Sequence, residues 1–124
     1  MKSLIDRYVS EQLVDERKIY ILGGSMGGSG TWSMISSYPD LFAAAMPVAG
    51  NPSKCNAENV AKTPFFTVMG TNDAIMNMEV VAEFVNKVKS FGGDCMFETE
   101  TGWTHEMSCK ESYSKRRLDW VFSR

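Results

Sequence analysis

Apolar side chains recur every three or four residues in four parts of the chain, which is the spacing of one face of an α-helix. The clearest case ends before Gly92-Gly93, a pair that favours helix termination. A second case ends before Pro39, because the proline ring disfavours helix at the preceding residue. The pattern predicts helices over residues 3–13, 26–38, 78–91 and 113–122.

Short apolar runs between these helices predict strands. Residues 18–22, 42–49 and 65–69 form three such runs, and residues 95–99 form a fourth, weaker candidate. Pro47 has no N–H for a sheet ladder and is expected to mark the point where regular pairing ends. The polar residues 51–62 are expected to form a loop.

Strands that alternate with helices predict an α/β fold, here a single domain over residues 1–124. Right-handed crossovers would give a parallel sheet of about four strands, with about four helices on its two faces. Ligands of such sheets bind beyond the carboxyl ends of the strands. That rule selects residues 23–26, 70–74 and 100–106 as the candidate functional loops.

Composition excludes several kinds of partner. Thirteen basic and fifteen acidic residues occur without a block of either sign, so neither nucleic acid nor a membrane is expected as a partner. The longest apolar run, residues 41–49, is too short to span a bilayer. Residues 1–10 lack a secretory signal pattern, but Met1 need not be the native start, so the compartment stays open.

The three cysteines, Cys55, Cys95 and Cys109, fit neither a redox pair nor a zinc-ligand pattern. They are interpreted as ordinary thiols, and a disulfide between two of them stays open. Nothing in the sequence implies a metal or an organic cofactor.

Five glycines and two serines occupy GGSMGGSG, residues 23–30, directly after a predicted strand. A phosphate-binding loop is excluded because its lysine is missing, and a dinucleotide GxGxxG is excluded because Ser33 stands where its third glycine should be. The pattern GxSxG is met by GGSMG, residues 23–27, between strand and helix. The backbone of a serine at such a tight turn is strained. Glycine is expected to be required at positions 23 and 27, because a side chain there would keep the strand and the helix from approaching closely. An ordinary glycine-rich turn is the alternative.

The order of candidate catalytic residues agrees with a serine-hydrolase triad. Asp73 follows the third predicted strand, and His105, the only histidine, follows the fourth. Alternatively, Asp73 caps the helix that begins near Met78, and His105 is an ordinary polar residue. The rival acids Asp40 and Asp94 do not follow strands and are expected to be solvated.

Three stretches carry a resemblance to a known family: residues 15–50, TPFFTVMGTNDAIM and GWTHEMSCKESY. They resemble the α/β-hydrolase esterases of the feruloyl esterase, polyhydroxybutyrate-depolymerase-like and predicted-peptidase group. The resemblance implies Ser25 as nucleophile, Asp73 as acid and His105 as base. It also implies that the backbone N–H of Met26 stabilises the oxyanion.

The chain resembles only the C-terminal half of these enzymes, without their N-terminal strands and the second oxyanion N–H. The strand before Ser25 would then lie at an exposed sheet edge. We therefore expect weak activity from this chain alone, unless a second copy or an N-terminal partner chain covers that edge.

The function predicted from these residues is hydrolysis of carboxylic esters, either small molecules or polymer-linked, through an acyl-enzyme on Ser25. Two roles are open to Trp103: lining the acyl or alcohol pocket, or packing. A peptidase or amidase with the same triad is one alternative function. The other is a truncated, inactive domain that serves as a binding or assembly module.

Overall fold

A computed structural model describes residues 18–124 of the protein, so the helix predicted for residues 3–13 lies outside the described residues. The described part contains four strands and five helices, which alternate through most of the chain. In chain order they are β1 (Tyr20–Gly24), α1 (Met26–Ser37), β2 (Ala44–Val48), α2 (Ala57–Val60), β3 (Phe65–Asn72), α3 (Met78–Ser90), β4 (Cys95–Thr104), α4 (His105–Glu111) and α5 (Lys115–Phe122).

The four strands form one parallel sheet in the order β1-β2-β3-β4. Tyr20 pairs with Ala44 at the start of β1, and Phe65 pairs with both Ala45 and Cys95. The predicted parallel α/β sheet is confirmed. The carboxyl ends of all four strands therefore lie at the same end of the sheet, and β1 and β4 are its two outer strands among the described residues.

Helices cover both faces of the sheet, as predicted. Phe65 and Phe66 are neighbours in β3, so their side chains point to opposite faces. Phe65 packs edge-on against Trp32 of α1 with ring centroids 4.9 Å apart, whereas Phe66 packs against Trp120 of α5 at 5.6 Å. Because β2 is buried along its whole length, its sequence is continuously apolar rather than alternating.

Pro47 does not end the pairing of β2, contrary to the prediction. Its partner in β1 is Gly23, and the pairing continues to Val48 and Gly24. The N–H groups of Ala45, in β2, and of Ala49, directly after it, donate toward β3 and the residue before it. Residues of a parallel strand direct their N–H groups to alternate neighbours, so the missing N–H of Pro47 weakens only the β3 side.

Two short helices occur where the sequence predicted loops. α2 lies within residues 51–62, and the Asn56 side chain caps it by accepting the N–H of Asn59 at 3.1 Å. α4 follows directly after β4, and Thr104 Oγ1 accepts the N–H of Met107 at 3.3 Å. Such helices start from side-chain caps and carry no long apolar stripe, so a search for periodicity misses them.

The boundaries of all four strands also differ from the prediction, and β2 spans Ala44–Val48 instead of residues 42–49. β1 begins and ends two residues later than predicted, at Tyr20 and Gly24. β3 continues to Asn72, and β4 continues to Thr104 instead of ending at residue 99. These extensions are partly exposed, so they lack the apolar signal that predicted the buried parts of the strands.

Candidate active site

Ser25 lies at the tip of the turn between β1 and α1. Its backbone has φ 58° and ψ −117°, a conformation that costs a side-chain-bearing residue free energy. The N–H of Ser25 donates to the carbonyl of Val48 at 2.9 Å, which ties the turn to the end of β2. The turn therefore holds the serine hydroxyl beyond the carboxyl end of the sheet.

Close backbone contacts explain part of the glycine pattern. A Cβ on Gly23 would lie 2.3 Å from the Gly27 carbonyl oxygen, and one on Gly28 would lie 2.4 Å from that of Val48. A Cβ on Gly27 would meet no atom within 4 Å, so the predicted steric need for glycine there is wrong. The backbone of Gly27 is what a side chain at position 23 would strike. The second position in this turn that has no space for a side chain is therefore Gly28 rather than Gly27.

Asp73 lies just after β3, and its side chain is 1% exposed. Its Oδ1 accepts the N–H groups of Ile75 and Met76, both at 2.8 Å. The alternative role as a helix cap is excluded, because α3 is capped by Asn77, whose Oδ1 accepts the N–H of Glu79 at 2.8 Å. The backbone thus fixes one carboxylate oxygen of Asp73 and leaves the other for a different partner.

His105 is the first residue of α4 and is 9% exposed. Its Nδ1 lies 2.8 Å from Asp73 Oδ2, and its Nε2 lies 2.7 Å from Ser25 Oγ. The structure therefore brings together three residues from the ends of β1, β3 and β4, which are 32 and 80 positions apart in the chain.

Electrostatics favour an ionised Asp73. Burial raises the pKa of its carboxyl, but hydrogen bonds from the Met76 N–H, His105 and the Ile75 N–H outweigh burial and lower the pKa below its ordinary value. The ionised Asp73 accepts a hydrogen bond from the Nδ1–H of His105. The imidazole then presents the lone pair of Nε2 to the hydroxyl of Ser25.

Similar proteins are known by sequence and by structure. Residues 2–53 match the prolyl oligopeptidase family. Poly(3-hydroxyalkanoate) depolymerase C of Paucimonas lemoignei is 36% identical over 69 residues, which cover 56% of this chain and 16% of the depolymerase. A bifunctional acetylxylan esterase/xylanase of Neocallimastix patriciarum is 31% identical over 90 residues, which cover 72% of this chain and 13% of that enzyme.

A solved thermostable esterase is similar over 98% of this chain, with a TM-score of 0.88 and 29% sequence identity. The chain belongs to the α/β-hydrolase superfamily and is related to its esterases. This α/β-hydrolase chain spans 35% of the length of the solved esterase and a smaller share of the two sequence relatives. Across residues 18–124, no helix combines the length and the apolar character needed to cross a bilayer.

Two further predicted residues of the α/β-hydrolase lie near these three. Met26 is the first residue of α1, so its N–H has no acceptor within the helix. Trp103 is half-buried near the end of β4, and its ring centre lies 5.7 Å from the guanidinium carbon of Arg117. The roles of Met26 in oxyanion binding and of Trp103 in substrate binding stay predictions.

The rival acids of the α/β-hydrolase are both on its surface. Asp40 is exposed, and Asp94 is exposed and pairs with Arg124 Nε at 3.0 Å. The sequence prediction missed the two N–H groups that hold Asp73. The signal was present, because an aspartate in a loop readily accepts the N–H groups of residues two and three positions later.

An open cavity of about 690 Å³ lies beside Asp73. Asp73, Ile75, Met76 and Glu79 are among the residues that line it. Ile75 and Met76 also line a smaller neighbouring cavity of about 140 Å³. The loop that binds the Asp73 carboxylate is thus also a wall of the space beside it.

Proposed function

We propose that this chain carries the catalytic triad of a serine hydrolase that cleaves carboxylic esters. The observation that carries the proposal is the continuous line of hydrogen bonds from Asp73 Oδ2 through His105 to Ser25 Oγ, with lengths of 2.8 and 2.7 Å. A buried carboxylate, an imidazole and a hydroxyl in this order are the groups that activate a serine for acyl transfer.

In the proposed reaction, Ser25 Oγ attacks the acyl carbon while its proton moves to Nε2 of His105. Asp73 stabilises the imidazolium that forms and keeps the ring in place. The tetrahedral intermediate collapses, and the alcohol leaves with the proton from Nε2. Water then attacks the acyl-enzyme, gives a proton to the same nitrogen, and the acid departs as Ser25 recovers its hydrogen.

The start of α1 would stabilise the oxyanion of both tetrahedral intermediates. The N–H of Met26 has no intrahelical partner, and the helix dipole is positive at this end. Loss of one such donor typically reduces the rate by about 10² to 10³. The strained backbone of Ser25 fits the role of nucleophile, because strain persists where the surrounding fold holds a functional group in position.

Relatives support an ester as the bond that is cleaved. Two of them are named a poly(3-hydroxyalkanoate) depolymerase and an acetylxylan esterase, and the solved neighbour is named an esterase. The proposed substrate class is therefore a carboxylic ester that is either a small molecule or part of a polymer.

The test is hydrolysis of p-nitrophenyl acetate by the wild type and by Ser25→Ala, with Ser33→Ala as the matched control. Ser33 lies in α1, the helix that directly follows Ser25, and is exposed. We expect turnover and fluorophosphonate labelling to be lost only in Ser25→Ala, by at least about 10³-fold in rate. Equal turnover by Ser25→Ala and the wild type would contradict the proposal.

An amide is the second candidate bond, because residues 2–53 match the prolyl oligopeptidase family. The same triad serves both reactions, which differ in the leaving group that His105 must protonate. A comparison of kcat/KM for a p-nitrophenyl ester and a peptide p-nitroanilide separates the two. A wild type that turns over neither and takes up no fluorophosphonate would instead fit an inactive binding or assembly module.

A further inference from the structure

Arg117 of α5 has a buried, charged side chain that takes no direct part in the proposed chemical steps. Its side chain is only 3% exposed. The guanidinium donates from Nε to Glu98 at 3.0 Å, from Nη2 to Glu100, and from Nη1 to the Ser112 carbonyl at 3.3 Å. A buried cation requires such partners because desolvation disfavours its charge, and a planar guanidinium with three bonded nitrogens is held in one orientation.

The partners of Arg117 flank His105 on both sides along the chain. Glu98 and Glu100 belong to β4, which ends at the residue before His105. Ser112 follows the last residue of α4, the seven-residue helix that His105 begins. The guanidinium therefore connects β4, which precedes the histidine-bearing segment α4, to Ser112, the residue directly after that segment.

Trp103 connects the same guanidinium to the segment that carries Asp73. The Arg117 carbon Cζ lies 5.7 Å from the centre of the Trp103 ring. The Trp103 backbone packs so closely on Gly70 that a Cβ there would lie 2.2 Å from the Trp103 carbonyl oxygen. The carbonyl of Gly70 in turn accepts the N–H of Asp73 at 3.2 Å. A displacement of Trp103 would thus alter the positions of both Asp73 and His105.

We infer that Arg117 is a positioning residue that sets the geometry of the Asp73–His105 hydrogen bond through Trp103 and the two ends of the histidine-bearing segment. The inference rests on the proposed function, since it concerns the base of that reaction. A purely structural role for Arg117 makes a different prediction: substitution lowers the stability of the fold but leaves the rate per folded active site unchanged.

The test compares Arg117→Met with Arg116→Met in the intact protein. Arg116 is a matched control because it also binds Glu98, at 2.7 Å, but its side chain is 63% exposed. Rates of ester hydrolysis are divided by the number of sites that a fluorophosphonate labels. We expect kcat per site to fall about 10²-fold in Arg117→Met with little change in KM, as for a misplacement of about 1 Å. Arg117→Lys keeps the charge but not the three-way contact, so it should recover only part of the rate.

A second readout does not depend on turnover. His105 is the only histidine in the chain, so a strongly downfield imidazole proton in the NMR spectrum reports the Asp73–His105 hydrogen bond without ambiguity. We expect Arg117→Met to lose or broaden this resonance and Arg116→Met to keep it. If the wild type shows the resonance but hydrolyses no ester, the proposed function fails and the positioning inference is decided by the resonance alone.

An unchanged resonance and an unchanged rate per site in folded Arg117→Met would overturn the inference. If that variant does not fold, Glu100→Gln replaces it, because this change removes one charged partner of Arg117 while keeping the side-chain volume. Loss of the resonance or of the rate per site in Glu100→Gln supports positioning. Wild-type values for both overturn it.

Discussion

Replacement of Asp73 by asparagine should reverse the tautomer of His105 while leaving the shape of the site unchanged. Oδ1 of Asp73 accepts two backbone N–H groups, each at 2.8 Å, so position 73 needs an acceptor at that atom. The asparagine must therefore direct its NH₂ group at His105 Nδ1. That nitrogen becomes an acceptor, its proton moves to Nε2, and Nε2 can no longer take the proton of Ser25.

The structure sets the magnitude of the effect. Rotating the new side-chain amide of Asp73→Asn to restore the active tautomer would leave two N–H groups without acceptors, at about 1–3 kcal/mol each, or about 2–6 kcal/mol together. The imidazolium also loses the stabilising charge of the carboxylate. We expect kcat to fall about 10⁴-fold, which corresponds to about 5.4 kcal/mol in the activation free energy, with KM nearly unchanged.

The assay is steady-state hydrolysis of p-nitrophenyl acetate, with thermal unfolding measured on the same samples to show that the variant is folded. Asp40→Asn and Asp94→Asn are the controls, since both carboxylates are exposed. Their activity should match the wild type. A folded Asp73→Asn protein that retains more than about a tenth of the wild-type kcat would refute the reasoning, because a tautomer restored that easily costs no more than about 1.4 kcal/mol.

Three further predictions concern stability. Gly28→Ala should lower the free energy of unfolding by about 1–3 kcal/mol, because its Cβ would lie 2.4 Å from a backbone oxygen; Gly27→Ala, whose Cβ meets nothing within 4 Å, should be neutral or stabilising in the same urea titration. Thr104→Ala should cost about 1 kcal/mol and reduce kcat by removing the cap of α4, whereas Thr104→Ser should keep both; equal unfolding midpoints for the two variants would contradict this. The pKa of the Asp73 carboxyl is lowered because the hydrogen bonds described above outweigh the effect of burial. The pKa of the Glu98 carboxyl is lowered mainly by the hydrogen bond from Arg116. The folded-state pKa of each carboxyl is therefore below its unfolded value. Their contribution to stability is thus complete above the unfolded pKa values of about 4 and is lost as the pH falls through the folded values, so urea midpoints measured below pH 4 should drop less steeply in Glu98→Gln than in the wild type.

Much of the fold follows from local patterns in the sequence. Helix α3 ends at Ser90, two residues before the glycine pair Gly92-Gly93 that predicted its end, and the helix predicted from residue 26 begins at Met26. The run FFTVM predicted the buried part of β3 because a strand covered on both faces must be continuously apolar. These features need only neighbouring residues, so short windows of sequence are sufficient to predict them.

Other features depend on residues that are distant in the chain. Pro47 stays within a paired strand because the hydrogen bond that it cannot donate would be made to β3, whereas its pairing with β1 is kept. Only the register of the sheet determines which neighbouring strand loses that bond. The burial of Arg117 has no signal in the sequence of α5, since Glu98 and Glu100 that bind it lie in another element.

The sequence by itself determined which groups are candidates for the proposed catalytic site: a serine in a GxSxG turn, one histidine, and an aspartate after a strand. Only the tertiary structure decided that they meet, because parallel strands bring to one edge of the sheet residues separated by up to 80 positions. It also decided that the amides of Ile75 and Met76 fix the Asp73 carboxylate. Hydrogen bonds act over about 3 Å, and positions in a sequence contain no distances until the chain has folded.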